Sequence, residues 1–165
     1  MRKSYPVALG GVLAALAVTI MALGGMIPIA TYVCPMLCSL LLFTVLQFCG
    51  KRIAWTWYCA VSVLCLLLSP DKEAAMVFLL LGYYPIVQPY LDRSPLRWLW
   101  KAFLFNGAAT VLYLVLIYVF GMQQVVAEFR ELGIAGLLIT LILGNVCFFL
   151  LDRLLHILKK KTVKR

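Results

Sequence analysis

The sequence predicts an all-α integral membrane protein, folded as a compact bundle of six transmembrane helices with both termini in the cytoplasm. The first observation is composition: 65% of the residues are hydrophobic, 13% are charged, and the mean hydropathy is +1.03. Soluble domains contain about 25% charged residues. The second observation is length, because 165 residues form about six spans of roughly 20 residues with short connections. We therefore expect a single transmembrane domain and no sizeable domain outside the bilayer.

Polar residues, glycines and prolines divide the chain into six apolar runs. The predicted spans cover residues 6–23, 31–49, 53–69, 74–90, 99–120 and 134–151, and a basic cytoplasmic tail follows at 152–165. In the fourth run, Pro85 and Pro89 are expected to kink the helix or end it early. Between the fifth and sixth runs, "GMQQVVAEFRELGI" has the mixed apolar spacing of a short interfacial helix on the outer surface.

The basic residues set the orientation. If the N-terminus is cytoplasmic, thirteen of the fifteen lysines and arginines fall on the inner side. Only Lys72 and Arg130 fall on the outer side. This asymmetry follows the positive-inside rule. It also accounts for the net charge of +9 without a nucleic acid partner, because the tail "HILKKKTVKR" is expected to lie along anionic lipid headgroups.

Catalysis is poorly supported. His156 is the single histidine and belongs to the basic tail, so neither a Ser/His/Asp nor a Cys/His site is expected, nor a multi-histidine metal site. Cys34 and Cys38, at the outer end of the second span, are expected to be packed thiols one helical turn apart. A reactive thiol at either position would instead indicate a redox protein. We expect no enzyme activity, no cofactor and no bound metal.

The stretch "SPDKEAAMVFLLLGYYP", residues 69–85, places three charged residues between two apolar runs. It is typical of a helix start: Ser69 is expected to cap the fourth helix, with Pro70 at its first position. Asp71 and Glu73 would then lie in the first turn, where the helix dipole favours anions.

A helix start does not explain the polar residues further along the same predicted helix. Glu73, Leu80 and Tyr84 are seven and four positions apart, so one continuous helix would place them in a narrow stripe close to Gln88. Polar side chains at membrane depth usually face the bundle or a cavity. We therefore expect the stripe to run inward from the outer surface and to face either the bundle interior or a cavity.

Spans five and six contribute further polar residues. Asn106 and Tyr113 are seven positions apart and share a face, and Asn145 lies at a depth close to that of Asn106. These side chains either line a ligand cavity or hydrogen-bond one helix to another. The sequence leaves both interpretations open.

Small residues at a spacing of four mark the packing faces of the first span. Gly10 pairs in this way with Ala14, and Gly11 pairs with Ala15. Such pairs allow helices to approach closely. The spacing does not decide whether the neighbouring helix belongs to this chain or to another protein.

These features together resemble the substrate-binding S components of energy-coupling factor (ECF) vitamin transporters. The resemblance covers the whole chain and is carried by the six-helix pattern, the first helix "ALGGVLAALAV" and the first outer loop "GGMIPIATY". It implies uptake of a small molecule, a vitamin or related nutrient, across a bacterial plasma membrane. The partners it implies are a transmembrane coupling subunit and two cytoplasmic ATPases. The S component itself would carry no catalytic residues.

The resemblance also implies roles for particular residues. The first outer loop would act as a lid to which Thr31 and Tyr32 belong, and helices four to six would build most of the pocket. The resulting substrate-binding candidates are Glu73, Tyr84, Tyr113, Asp71, Lys72, Tyr32, Asn106 and Asn145. Helix one of this family docks onto the coupling subunit through an A-x-x-x-A signature. The docking candidates that stand in its place here are Gly10, Gly11, Ala14 and Ala15.

A second function class fits the same pattern. Small six-span proteins also serve as scaffolds of the bacterial envelope machinery, acting through protein contacts without a ligand. In such a scaffold, the small-residue faces would be partner interfaces and the outer charges would only cap helices.

Overall fold

A computed structural model of the protein describes residues 4–24, 30–93, 95–118 and 123–163. Within these ranges the chain is helical apart from short turns, which confirms the all-α prediction. Six segments of the described chain are long and apolar enough to cross a membrane: Pro6–Gly24, Thr31–Cys49, Lys51–Leu68, Lys72–Leu91, Arg97–Val115 and Leu141–Lys160. The cytoplasmic location of both termini stays a prediction.

Two compact units make up the chain. The first unit, Met1–Ser94, contains α1 (Ser4–Gly24), α2 (Ala30–Cys49), α3 (Lys51–Leu68), α4 (Lys72–Leu81) and α5 (Tyr84–Leu91). The second unit, Pro95–Arg165, contains α6 (Arg97–Tyr118) and α7 (Gln123–Val163).

The core of the first unit lies among α1, α2, α3 and α4. Cys38, Leu42 and Val61 are fully buried in it. The Trp57 indole N–H donates to the Gly10 carbonyl oxygen at 2.9 Å, so the packing of α3 on α1 includes a specific polar contact. Cys34 is also buried and carries a free thiol, like Cys38. The prediction that these two thiols are packing residues is confirmed.

The fourth span is interrupted at Pro85, as predicted, whereas Pro89 lies inside α5. α4 ends at Leu81 and α5 begins at Tyr84, with Pro85 in its first turn. A proline in a helix interior would clash with the carbonyl four residues earlier, here that of Leu81, and would leave it without a hydrogen bond. In the first turn of a new helix the missing N–H costs nothing. The interruption therefore lies just before Pro85.

The predicted role of Ser69 is wrong. Ser69 is the C-cap of α3, and its backbone N–H donates to the Cys65 carbonyl oxygen. The N-cap of α4 is Asp71, whose carboxylate accepts from the Ala74 N–H at 3.0 Å. Pro70 disfavours helical geometry at the residue before it, and Ser69 is accordingly extended, with ψ at 132°. The helix starts at Lys72, after Pro70, and aspartate caps it as well as serine would.

In the second unit, α6 and α7 pack as an antiparallel pair. The Lys101 ammonium contacts both oxygens of Asp152 at 2.9 Å, and both side chains are buried. Further along the pair, the rings of Phe105 and Phe148 stack with their centroids 5.1 Å apart.

The expected division of the last segment into an interfacial helix, a span and a tail differs from the structure. α7 is one helix of 41 residues from Gln123 to Val163. No proline occurs in this stretch, so nothing in it removes backbone hydrogen bonds in the way that Pro85 does. The side chains of residues 123–138 lie outside the described part of the structure.

Candidate functional site

A polar cluster joins the start of α2 to the start of α4. The Thr31 hydroxyl donates to Asp71 Oδ2 at 2.8 Å, and the Tyr32 hydroxyl donates to Glu73 Oε1 at 3.4 Å. With Lys72, these residues form what we call the polar cluster, and all five are half-buried. The structure thus brings together residues from two stretches about forty positions apart, each predicted to belong to the site.

Two members of the polar cluster also shape the turn between α3 and α4. Asp71 caps α4 through the Ala74 N–H. The Lys72 ammonium donates to the carbonyl oxygens of Leu66 and Ser69, both at 2.9 Å. Carbonyls at the C-terminus of a helix have no partner within it and carry partial negative charge, so an ammonium is a suitable donor for them. Asp71 and Lys72 therefore have structural roles in addition to any contact with a ligand.

The predicted stripe of Glu73, Leu80 and Tyr84 is not on one continuous helix. The interruption between α4 and α5 resets the helical phase before Tyr84. Tyr84 and Gln88 are 0% and 1% exposed, whereas Glu73 and Leu80 are half-buried. The structure associates Glu73 with Tyr32. A ligand contact for Tyr84 stays a prediction.

In the second unit, the two predicted asparagines are in contact with each other. Asn145 Nδ2 donates to Asn106 Oδ1 at 3.3 Å and to the Leu141 carbonyl oxygen at 2.8 Å. Asn106 Nδ2 donates in turn to the Ala102 carbonyl oxygen at 2.9 Å. Of the two interpretations left open by the sequence, this geometry favours a hydrogen bond between helices. Tyr113, further along α6, is half-buried, and its role in a pocket stays a prediction.

A groove of about 640 Å³ runs between α6 and α7. Three of its lining residues come from α6, namely Trp98, Lys101 and Ala102, and eight come from α7 between Leu141 and Asp152. The lining is mainly apolar, and its polar members are Lys101, Asp152 and Asn145. We call this the α6–α7 groove.

The Lys101–Asp152 pair was not among the residues singled out from the sequence. A signal for it was present, because Lys101 is the one charged residue in the fifth apolar run and Asp152 directly follows the sixth. Charged residues in such positions usually pair with one another.

The two small-residue pairs of α1 have different surroundings. Gly10 is buried against Trp57, and Ala14 packs on the core of the first unit. Gly11 and Ala15 are exposed, and a Cβ atom added at Gly11 would meet nothing within 4 Å. Gly10 and Ala14 therefore serve the packing within the unit, whereas the Gly11/Ala15 face is open to a neighbouring helix.

Comparison with known proteins gives no family for this chain: no family model, no curated protein and no solved structure matches it.

Proposed function

We propose that the chain is the membrane-embedded substrate-binding subunit of an uptake system of the ECF type, binding a small nutrient such as a vitamin at the outer face of a bacterial plasma membrane. The observation that carries the proposal is the polar cluster. Its hydroxyl donors, Thr31 and Tyr32, are the last residues of the segment expected to form the lid and lie in the first turn of α2, and its carboxylate acceptors begin the fourth span. Such an arrangement suits a lid whose closure responds to a ligand.

The hydrogen bonds of the polar cluster indicate a class of ligand. Ionised carboxylates only accept hydrogen bonds, and Asp71 and Glu73 accept them from the hydroxyls of Thr31 and Tyr32. A ligand group that replaces either hydroxyl must therefore be a donor, such as an amine, an amide N–H or a hydroxyl. We infer a neutral or cationic ligand with several hydrogen-bond donors.

The open Gly11/Ala15 face supports the partner part of the proposal. A helix surface with small side chains lets a second helix approach closely within a bilayer. The coupling subunit would dock on this face, and the two ATPases would bind the coupling subunit from the cytoplasm.

A co-purification experiment tests the proposal. The chain is expressed with candidate coupling subunits and ATPases, purified in mild detergent, and analysed by mass spectrometry for both proteins and small molecules. The expected result is recovery of the coupling subunit and the ATPases together with one stoichiometric metabolite. A folded protein that is recovered alone and empty would contradict the proposal.

Two sets of variants separate ligand binding from docking. Glu73→Gln removes a carboxylate of the polar cluster and is expected to lower ligand affinity while complex formation stays unchanged. Gly11→Leu is expected to prevent docking while ligand binding is retained. Gly107→Leu is its matched control, because Gly107 on α6 is also exposed and a Cβ atom there would also meet nothing within 4 Å.

A scaffold of the envelope machinery is the second candidate, and the Gly11/Ala15 face favours it equally. In that case Gly11→Leu would abolish binding to wall-synthesis proteins, whereas Glu73→Gln would have no effect on function. The metabolite analysis distinguishes the two candidates, because a scaffold is purified without a stoichiometric small molecule.

A further inference from the structure

We propose that the α6–α7 groove binds an anionic phospholipid, with an acyl chain along α7 and the phosphate beside Arg97 and Arg153. This site is separate from the polar cluster and does not depend on the proposed uptake function.

The groove has the dimensions and surface that an acyl chain requires. From Asp152 to Leu141 the lining follows α7 over eleven residue-to-residue steps, which at 1.5 Å per step is roughly 16 Å. Apolar residues such as Ile142, Val146 and Phe149 line it along this length. Van der Waals packing against them would hold a chain without any specific polar contact.

The surroundings of the groove favour a lipid over a water-soluble ligand. Its walls belong to two segments long and apolar enough to cross the membrane, Arg97–Val115 and Leu141–Lys160. The lining side chains of Trp98 and Ile142 are 59% and 63% exposed, and that of Leu150 is 50% exposed. Because helices of this length and composition are expected to span a bilayer, the molecules expected to reach the groove are lipids.

Charge at one end of the groove specifies the headgroup. Lys101 and Asp152 neutralise each other within the wall. Arg97 immediately precedes the lining residue Trp98, and Arg153 immediately follows Asp152, and both arginines are exposed. Their end of the groove is the predicted cytoplasmic side, where anionic lipids are attracted to basic residues and tryptophan is enriched at the interface.

Native mass spectrometry of the full chain tests the proposal. The protein is released from detergent that contains equal amounts of phosphatidylglycerol and phosphatidylcholine with identical acyl chains. We expect one phosphatidylglycerol to be retained in preference to phosphatidylcholine. The double variant Arg97→Gln/Arg153→Gln is expected to lower the ratio of retained phosphatidylglycerol to retained phosphatidylcholine by about fivefold for each arginine removed. Its control, Arg52→Gln/Arg93→Gln, changes two exposed basic residues of the first unit and is expected to keep it.

A second pair of variants tests the acyl chain position. Ile142 lines the groove, whereas Ile139 on the same helix does not, and both are 63% exposed. Ile142→Trp fills the groove and is expected to reduce retention of both lipids several-fold, whereas Ile139→Trp is expected to leave retention unchanged.

Three results would overturn the proposal. The first is equal retention of the two lipids by the unmodified chain, which would mean that only bulk lipid is bound. The second is equal loss of binding in a test variant and its control. The third is an oligomer or a protein complex that Ile142→Trp dissociates, since the groove would then be a protein interface.

Discussion

Asp71 is the residue at which a structural role and a binding role can be separated experimentally. Its carboxylate caps α4 through the Ala74 N–H and accepts a hydrogen bond from Thr31. Loss of an N-cap side chain costs about 1 kcal/mol, and loss of a hydrogen bond to a charged group costs about 1.5 kcal/mol when it is partly exposed. Asp71→Ala is therefore expected to lower the free energy of unfolding by about 2.5 kcal/mol.

Two further substitutions divide this loss into its parts. Thr31→Val removes only the hydrogen bond from Thr31 to Asp71, so we expect a loss of about 1.5 kcal/mol. Asp71→Asn keeps a side-chain oxygen that caps equally well, and its Nδ2 can donate to the Thr31 hydroxyl in place of the present bond. The expected loss is therefore about 0.5 kcal/mol, the difference between a charged and a neutral hydrogen bond. Unfolding of the purified protein in mild detergent, monitored by tryptophan fluorescence, gives the change in the free energy of unfolding for all three variants. Equal losses for Asp71→Ala and Asp71→Asn would refute the assignment of Asp71 as the cap.

The same variants also bear on function. Asp71→Asn removes the charge but leaves the helix start intact. A drop in ligand affinity without a drop in stability would therefore assign Asp71 to the binding site. Unchanged affinity would restrict Asp71 to its structural role.

Two more predictions concern packing, and both are measured as changes in the unfolding midpoint. Gly82→Ala is expected to destabilise the protein by about 1–3 kcal/mol, because its Cβ atom would lie 2.7 Å from the ring of Phe78. Its control is Gly107→Ala, whose Cβ atom would meet nothing within 4 Å and which is expected to be neutral or stabilising. Equal effects of the two substitutions would contradict this reasoning. Lys101→Met leaves the buried Asp152 carboxylate without its ammonium partner and is expected to lower the free energy of unfolding by about 3–5 kcal/mol. The double variant Lys101→Met/Asp152→Leu also removes the carboxylate, so it is expected to regain most of this stability. A double variant that is no more stable than Lys101→Met alone would show that the unpaired carboxylate is not the cause of the destabilisation.

Local sequence signals predicted the helices well where they act within a few residues. Hydropathy located the second span at 31–49, and α2 ends at Cys49 because Gly50 adopts a φ of 86°, which favours glycine. Pro85 predicted the interruption of the fourth span for an equally local reason. Such signals need no knowledge of the tertiary structure.

The helix start at residue 71 shows where local signals are insufficient. Ser69 and Asp71 are both good N-cap residues, and their order in the sequence does not choose between them. The choice also involves tertiary contacts, since the Ser69 hydroxyl lies 3.2 Å from the Met21 carbonyl oxygen on α1. That contact is between residues 48 positions apart, so no local pattern reveals it.

In the candidate site, too, some features followed from the sequence and others depend on tertiary contacts. The proximity of Asn106 and Asn145 followed from their similar depth in two neighbouring spans. The stripe from Glu73 to Tyr84 failed as a continuous face, because the helical period applies only within one uninterrupted helix. The sequence identified which polar residues were unusual, but their hydrogen-bond partners depend on the packing of α2 against α4.

The turn between α3 and α4 has a consequence for hydration. The Lys72 ammonium donates hydrogen bonds to the Leu66 and Ser69 carbonyl oxygens, and the Asp71 carboxylate accepts one from the Ala74 N–H in the first turn of α4. Polar backbone groups normally require water or another partner when they leave the helix ladder. Since these groups are satisfied within the protein, water can be excluded from this turn without leaving them unpaired.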